Sequence, residues 1–334
     1  MFYISKNYRD RYTASSKAKL DCELIVQSLG FINIGLPVSF SQNSYLGRLK
    51  TVLSNKYACL RMPKNSIAFL QYPVYGYKDQ VNRCLRQKNK IITVIHDLNA
   101  LRGITQLSDF KVLESSDVLI VHTQRMKEWC LENLRVKHIV VLELFDYLYD
   151  KPRDREVKLY DKNRISVAFA GNLSKSAFLD HIHLHQSQLN LFGIGIDRRQ
   201  IGEGCVYQGC FPPNELYKYL NSMFGLVWDG DTVETCTGVG GKYLRYIIPH
   251  KISMYLSCGM PVIVWSQSAM ADFVRKEHIG LVVDSIGDMD TFLQKVSVED
   301  YKQLCAHVQD IRDKVISGFY LSDAIAKSLK LLNC

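Results

Sequence analysis

The chain contains no C-x-x-C pair, no run of eighteen apolar residues, and no G-x-G-x-x-G or G-x-x-x-x-G-K-[ST] fingerprint. Each absence removes a class. Ten cysteines in 334 residues without framework spacing read as reduced, mostly buried thiols, not as the staples of a secreted mini-domain. Without a long apolar run, no helix is expected to span a bilayer, and the polar opening MFYISKNYRD is not expected to act as a signal peptide. The expected location is cytoplasmic. Without a dinucleotide or Walker fingerprint, cofactor chemistry of the NAD or P-loop kind has no support. Internal repeats and low-complexity segments are also missing. Acidic residues are in short supply: 33 against 42 Lys and Arg, a formal net charge of +9. That excess favours anionic partners. Its densest cluster, RQKNK at 86–90, is short and stands with no nucleic-acid-binding motif, so it reads as solvated surface and no nucleic-acid partner is expected.

What is present is alternation. AKLDCELIVQSLG at 18–30 has apolar residues at helical spacing and a closing glycine. Short Val/Ile-rich runs then alternate with amphipathic stretches: SIAFLQYPV, KIITVIHDL, VLIVHT and HIVVLELF read as buried parallel strands separated by helices. The segment 146–164, DYLYDKPRDREVKLYDKNR, is charged, carries Pro152 and has no apolar period, so it reads as a linker. Alternation restarts with ISVAFAGN and runs through FGLVWDG, MPVIVW and GLVVD. The expected fold class is α/β: two doubly wound Rossmann-like domains with a ligand in an interdomain cleft, gathered at the carboxyl ends of the strands. The closing helix, LSDAIAKSLKLL, is amphipathic; it is expected to dock on its own protein, with a membrane surface as the alternative.

The candidate chemistry begins at YIIPHKISMYLSCGMPVIV, residues 246–264. Pro249 suits a helix's first turn, which places Lys251 where the helix dipole already attracts an anion. A cation there makes sense if it neutralises a diphosphate seated over the helix end; the plain alternative is an exposed, snorkelling lysine. Upstream, Gly238, Gly240 and Gly241 suggest a mobile loop. Asp229 and Asp231 flank Gly230 at a strand end, as sugar-hydroxyl ligands or as turn formers. In FAGNLSKSAFL, Gly171 and Asn172 end a strand, Ser174 is a candidate cap, and Lys175 is expected in a second helix's first turn. In the first half, Ser15 or Ser16 is expected to cap the first helix. VIHDLNALR puts His96, Asp97 and Arg102 just past a buried strand, where a His–Asp pair can serve as a general base or Asp97 can simply cap a helix. HIHLH, with His181, His183 and His185, reads as exposed histidines before it reads as a metal site.

Taken together, AGN, GLVWDGD and PHKISMYLSCGMPVIV, with SSKAKLD and HDLNALR in the first half, resemble GT-B glycosyltransferases. Within that class they look like the family of the streptococcal adhesin glucosyltransferase 3 and related β-1,6-galactofuranosyltransferases. The resemblance implies an acceptor-binding domain over 1–150, a nucleotide-sugar-binding domain over 151–315, and a helix over 316–334 that packs back on the first domain. It implies transfer of a hexosyl unit (glucose, galactose or galactofuranose) from a UDP-sugar to a hydroxyl of a glycan, glycopeptide or lipid-linked acceptor, with no cofactor and no bound metal. It places Lys251 on the diphosphate, and Gly171, Asn172 and Lys175 near the nucleotide. Tyr243 and Tyr246 are placed beside the donor, and Ser15 and Ser16 across the cleft from it. His96 and Asp97 are the acceptor-side catalytic candidates. Peripheral contact with the inner face of the membrane and self-association are compatible with it. The E-x-x-x-x-x-x-E pattern of many retaining GT-B enzymes is absent near the Lys251 helix, which leaves the stereochemical outcome open. The rival readings are another Rossmann-type nucleotide-sugar enzyme, such as an epimerase, and a non-catalytic sugar-nucleotide-binding module.

Overall fold

The computed structural model describes residues 1–6, 8, 14–36, 38–39, 45–104, 107–149, 160–196 and 201–333. The chain divides into two compact units: Met1–Asp146 with Gly318–Cys334, and Tyr147–Ser317. Most of the linker expected over 146–164 lies outside the described residues.

The first unit is built on a parallel sheet of β1 (Phe2–Tyr3), β2 (Ile32–Asn33), β3 (Ile67–Tyr72), β4 (Lys90–Ile95), β5 (Val118–Val121) and β6 (His138–Val141), in the order β2-β1-β3-β4-β5-β6. The β4 and β5 runs, KIITVI and VLIV, are buried along nearly their whole length. That burial is what a parallel strand covered on both faces requires, and it explains why these strands show no polar alternation. The helix Phe319–Leu331 belongs to this unit. It buries Tyr320, Leu321, Ala324, Ile325 and Ser328, packs on β5, β6 and the helix Ala14–Ser28, and has its first backbone N–H groups held by the Asp146 carboxylate. Its apolar face is thus taken up by its own unit.

The second unit is also built on a six-stranded parallel sheet, but in a different order: β7 (Ile165–Asn172), β8 (Ser187–Ile194), β9 (Cys205–Gly209), β10 (Phe224–Val227), β11 (Val262–Trp265) and β12 (Gly280–Val283) are arranged β12-β11-β10-β7-β8-β9. Helix His250–Ser257 crosses this sheet and packs under Val298–Ser317. Gly225 in β10 lets it approach: a Cβ there would sit 2.2 Å from the Tyr255 ring. At the far end Gly259 takes φ 69°, the left-handed conformation that stops a helix, and Arg312 Nε donates to the Ser257 carbonyl at 3.2 Å.

Several local expectations are corrected. Gly238–Tyr243 is a short helix, so the glycines there are not a loop. Ser15 and Ser16 lie inside the first turn of Ala14–Ser28, not ahead of it. Lys175 closes a three-residue 3-10 turn, Leu173–Lys175, that Asn172 caps: its Oδ1 accepts from Ser174 N at 3.1 Å and Ser174 Oγ at 2.7 Å. The cap is the asparagine, not the serine. The seventeen-residue helix Tyr45–Arg61 has no counterpart in the sequence reading, because its buried side is small and polar: Gly47, Ser54, Asn55 and Ala58. Hydrophobic periodicity finds only helices that bury large side chains.

Candidate active site

In the second unit β7 is followed by β8 on one side, and later by β10 on the other. The connections therefore diverge between β7 and β10, and a crevice opens beyond their carboxyl ends. Lys251 is in that place. The helix bearing it starts after Pro249, whose φ of −64° already suits a helix and whose missing N–H would have had no partner in the first turn. Lys251 Nζ lies 3.4 Å from the Trp228 carbonyl, just past β10, and 4.4 Å from the centroid of the Phe169 ring in β7. A Cβ at Gly171 would stand 3.7 Å from it, so the backbone at the end of β7 is open to the ammonium.

The residue is half-buried and its ammonium is enclosed. Burial pushes its pKa below the ordinary lysine value, opposed by the Asp229 carboxylate and then Cys236. Asp229 Oδ1 accepts from Gly230 N at 2.9 Å, and a Cβ at Gly240 would lie 2.8 Å from that same oxygen, so the glycine makes room for the carboxylate. A cation over an aromatic face, with one long hydrogen bond and a lowered pKa, is held at some cost of desolvation. A bound anion would remove that cost. The helix's own first backbone N–H groups point out of the same end.

The remaining residues of this half fall at different depths. Gly171 and Asn172 end β7 and are exposed, and so is Lys175. Tyr243 is buried, and Tyr246 is half-buried with its N–H on the Tyr243 carbonyl at 3.0 Å. Phe169 and Trp228, which cradle Lys251, were missed. The cue was available in their strand-end positions, beside Gly171 and Asp229. Tyr255 was missed too; its hydroxyl accepts from Ala170 N at 2.8 Å and fixes the helix to β7. His181, His183 and His185 are not brought together as a ligand set: among the described residues no group of three His, Cys, Asp or Glu side chains is placed to hold a metal ion.

In the first unit the divergence falls between β1 and β3. Here the polar groups satisfy one another. The His96 ring bonds through Nε2 to Gln71 Oε1 at 2.7 Å and stacks on Phe145 at 5.7 Å. Gln71 Nε2 reaches the Lys19 carbonyl at 3.3 Å and Glu23 Oε1 at 3.4 Å, and Tyr8 donates its hydroxyl to Glu23. Asp97 is half-exposed, 3.5 Å from Arg102, and its charge is felt by Lys19. His96 and Asp97 are sequence neighbours with separate partners. Ser15 is exposed and accepts from Lys19 Nζ at 3.3 Å, while Ser16 is buried. Lys6, Tyr8, Glu23 and Gln71 escaped the sequence reading because nothing local marks them; three separate segments bring them together.

Two doubly wound parallel units define a protein of the GT-B fold. Sequence comparison narrows this. The chain belongs to the glucosyltransferase 3-like family: residues 1–144 match its N-terminal domain and 167–328 its C-terminal domain. It is 34% identical over 333 residues to the β-1,6-galactofuranosyltransferase WbbI of Escherichia coli (strain K12), covering 97% of each chain. It is 26% identical over 252 residues to glucosyltransferase 3 of Streptococcus gordonii, covering 72% of each. Among solved structures, a sucrose-phosphate synthase from Thermosynechococcus elongatus superposes with a TM-score of 0.65 at 12% identity, covering 100% of this chain and 98% of that one. The lipopolysaccharide glycosyltransferase WaaG superposes at 0.50 and 11% identity, covering 98% of each. The structures bear on the fold; the family bears on the activity. The chain is a glycosyltransferase, a hexosyltransferase of the GT-B fold, and the epimerase and non-catalytic readings fall away.

Proposed function

We propose that this enzyme takes its hexosyl unit from a UDP-sugar and passes it to a hydroxyl of a glycan, glycopeptide or lipid-linked acceptor. The observation that carries the donor assignment is the enclosure of Lys251 Nζ between the Phe169 ring and the Trp228 carbonyl, at the carboxyl ends of β7 and β10. As the glycosidic bond to the diphosphate breaks, negative charge grows on the departing oxygen. An ammonium already in place, with backbone N–H groups of the helix start beside it, stabilises that charge without reorganisation. Gly171 gives backbone access there, and Asp229 orients Lys251 or a sugar hydroxyl. On the acceptor side Asp97 is the base, because the His96 ring is already committed to Gln71 and Phe145. In this scheme the lysine stands where a divalent cation would otherwise balance the leaving group, so transfer needs no metal and survives EDTA. Complete loss on chelation, restored by Mg²⁺ or Mn²⁺, would overturn that part.

The test is calorimetric. UDP titrated into Lys251→Ala should bind about 1.5–3 kcal/mol more weakly than into the native protein, the scale of a charge-assisted hydrogen bond. Unchanged affinity in a folded variant would remove Lys251 from the donor site. Thermal stabilisation by a panel of UDP-sugars then identifies the donor, since the melting temperature rises with affinity.

A further inference from the structure

The helix Tyr45–Arg61 is turned inside out. Its side toward the first unit is small and polar: Gly47, Ser54, Asn55 and Ala58 are buried, and Asn55 is tied to Lys6 and Gln80. Its solvent side is apolar. Leu46, Leu49, Leu53, Tyr57 and Leu60 are all exposed, Leu46 by 69% and Leu60 by 77%. At about 100° per residue these five fall within an arc of about 80°, so they form one continuous stripe some four turns long. Exposed apolar residues scattered singly mean little, but a contiguous stripe does.

The stripe has basic margins. Lys50 and Arg61 border one edge and Lys56 the other, with Arg48 behind it and Lys64 just past the helix end. No acidic residue occurs anywhere between Glu23 and Asp79. An apolar face rimmed on both sides by cations alone matches a surface that is apolar within and anionic above: a lipid monolayer carrying acidic headgroups. A second copy of the chain matches less well. Two-fold pairing of the stripe would bring its cationic margins together with no carboxylate in the helix to offset them.

We propose that Tyr45–Arg61 is a membrane-surface helix, which lays Leu46, Leu49, Leu53, Tyr57 and Leu60 into the headgroup boundary of an anionic bilayer while Lys50, Lys56 and Arg61 engage its phosphates. The helix lies in the plane of the membrane and does not cross it; among the described residues no helix is long and apolar enough to do so. The surface belongs to the first unit and stands independently of the donor assignment.

The experiment is co-sedimentation of the full chain with vesicles of phosphatidylglycerol and phosphatidylethanolamine, and with vesicles of phosphatidylcholine alone. The native protein should pellet with the anionic vesicles, weaken as salt is raised, and stay in solution with the neutral ones. Leu49→Gln with Leu53→Gln, and separately Lys50→Glu with Lys56→Glu, should each cut the bound fraction about tenfold. All four side chains are exposed, so melting temperatures should hold. Failure of the native protein to bind anionic vesicles would overturn the proposal, as would equal binding by the Leu49→Gln/Leu53→Gln variant. A third overturning result is a native dimer in light scattering that this variant converts to monomer, for the stripe would then be a self-interface.

Discussion

Lys6 and Lys251 both stand near the point where the connections of their own sheet diverge, though they come from different elements: Lys6 directly follows β1, which lies between β2 and β3, while Lys251 is on the helix between β10 and β11, beside β7 and β10. Each loses water there, and burial lowers the pKa of both, that of Lys6 to about 8. Their partners differ. Lys6 donates to Asn55 Oδ1 at 3.0 Å and to the Tyr75 carbonyl, with Glu23 near enough to act on it. Lys251 faces an aromatic ring and one carbonyl at 3.4 Å. A buried cation whose donors are met by its own fold is part of the scaffold; one that the fold leaves weakly met is arranged for something else. On the proposed reading the second unit keeps its charge for a ligand, and the first spends its polar groups on itself, leaving Asp97 at the margin.

The largest effect that would break this division is at Asp97. If it takes the acceptor proton, Asp97→Asn should lower turnover about a hundredfold, the lower part of the range for general-base catalysis, while calorimetry finds the same UDP affinity. A variant that turns over normally would make Asp97 only the partner of Arg102. One that loses UDP affinity would place part of the donor grip in the first unit.

The self-contained character of the first unit has its own test. Burial raises Glu23 from 4.5 to about 7, opposed by hydrogen bonds from Tyr8 and Ser5 and by the charge of Lys6. Between those values the unfolded chain releases a proton that the folded chain keeps. This group therefore erodes stability as pH climbs from about 4.5 to about 7, with no further loss above. Asp146, raised from 3.8 to about 7, acts in the same direction over nearly the same window. Lys6 acts the other way, adding stability as pH rises from about 8 toward 10.5. Glu23→Gln removes one of the two acidic contributions. Relative to native protein, it should gain roughly 2–3 kcal/mol between pH 4.5 and 8 in urea unfolding, since each tenfold difference in proton affinity between folded and unfolded chain is worth about 1.4 kcal/mol. A constant difference across that range would mean that Glu23 titrates normally and the network is not dry.

What could be read beforehand divides along the same line. The buried strands KIITVI, VLIV and VIVW announce a covered parallel sheet because nothing else tolerates such runs in a short segment. The place of Lys251 in the first turn of a helix was legible because the preceding Pro249 suits such a start, and signals of that kind are local. The cluster of Lys6, Tyr8, Glu23 and Gln71 was not legible: its members are far apart in sequence, and each alone resembles a surface residue. The helix Tyr45–Arg61 was hidden by its reversed polarity. Lys175 was misplaced because a three-residue 3-10 turn and the first turn of an α-helix look alike in sequence, both introduced here by an Asn-x-Ser that offers a cap.

The smallest and most specific expectation sets the two lysines against each other. Lys→Met keeps most of the side-chain volume and removes the charge. At residue 251 this should weaken UDP binding about ten- to a hundredfold, the same calorimetric difference expressed as a ratio. The fold should hold, or even gain, since a desolvated ammonium disappears and only one long hydrogen bond goes with it. At residue 6 the pattern should reverse. Asn55 Oδ1 keeps Gln80 but loses an ammonium, the Tyr75 carbonyl loses its donor, and Glu23 loses a compensating charge. Stability should fall by about 1–3 kcal/mol, the cost of leaving buried acceptors unmet, with UDP affinity unchanged. The two substitutions are chemically identical, so a crossed result isolates environment as the cause. If both variants lose stability alike and neither loses UDP, then Lys251 is scaffold as well, and the donor phosphates are held by groups elsewhere.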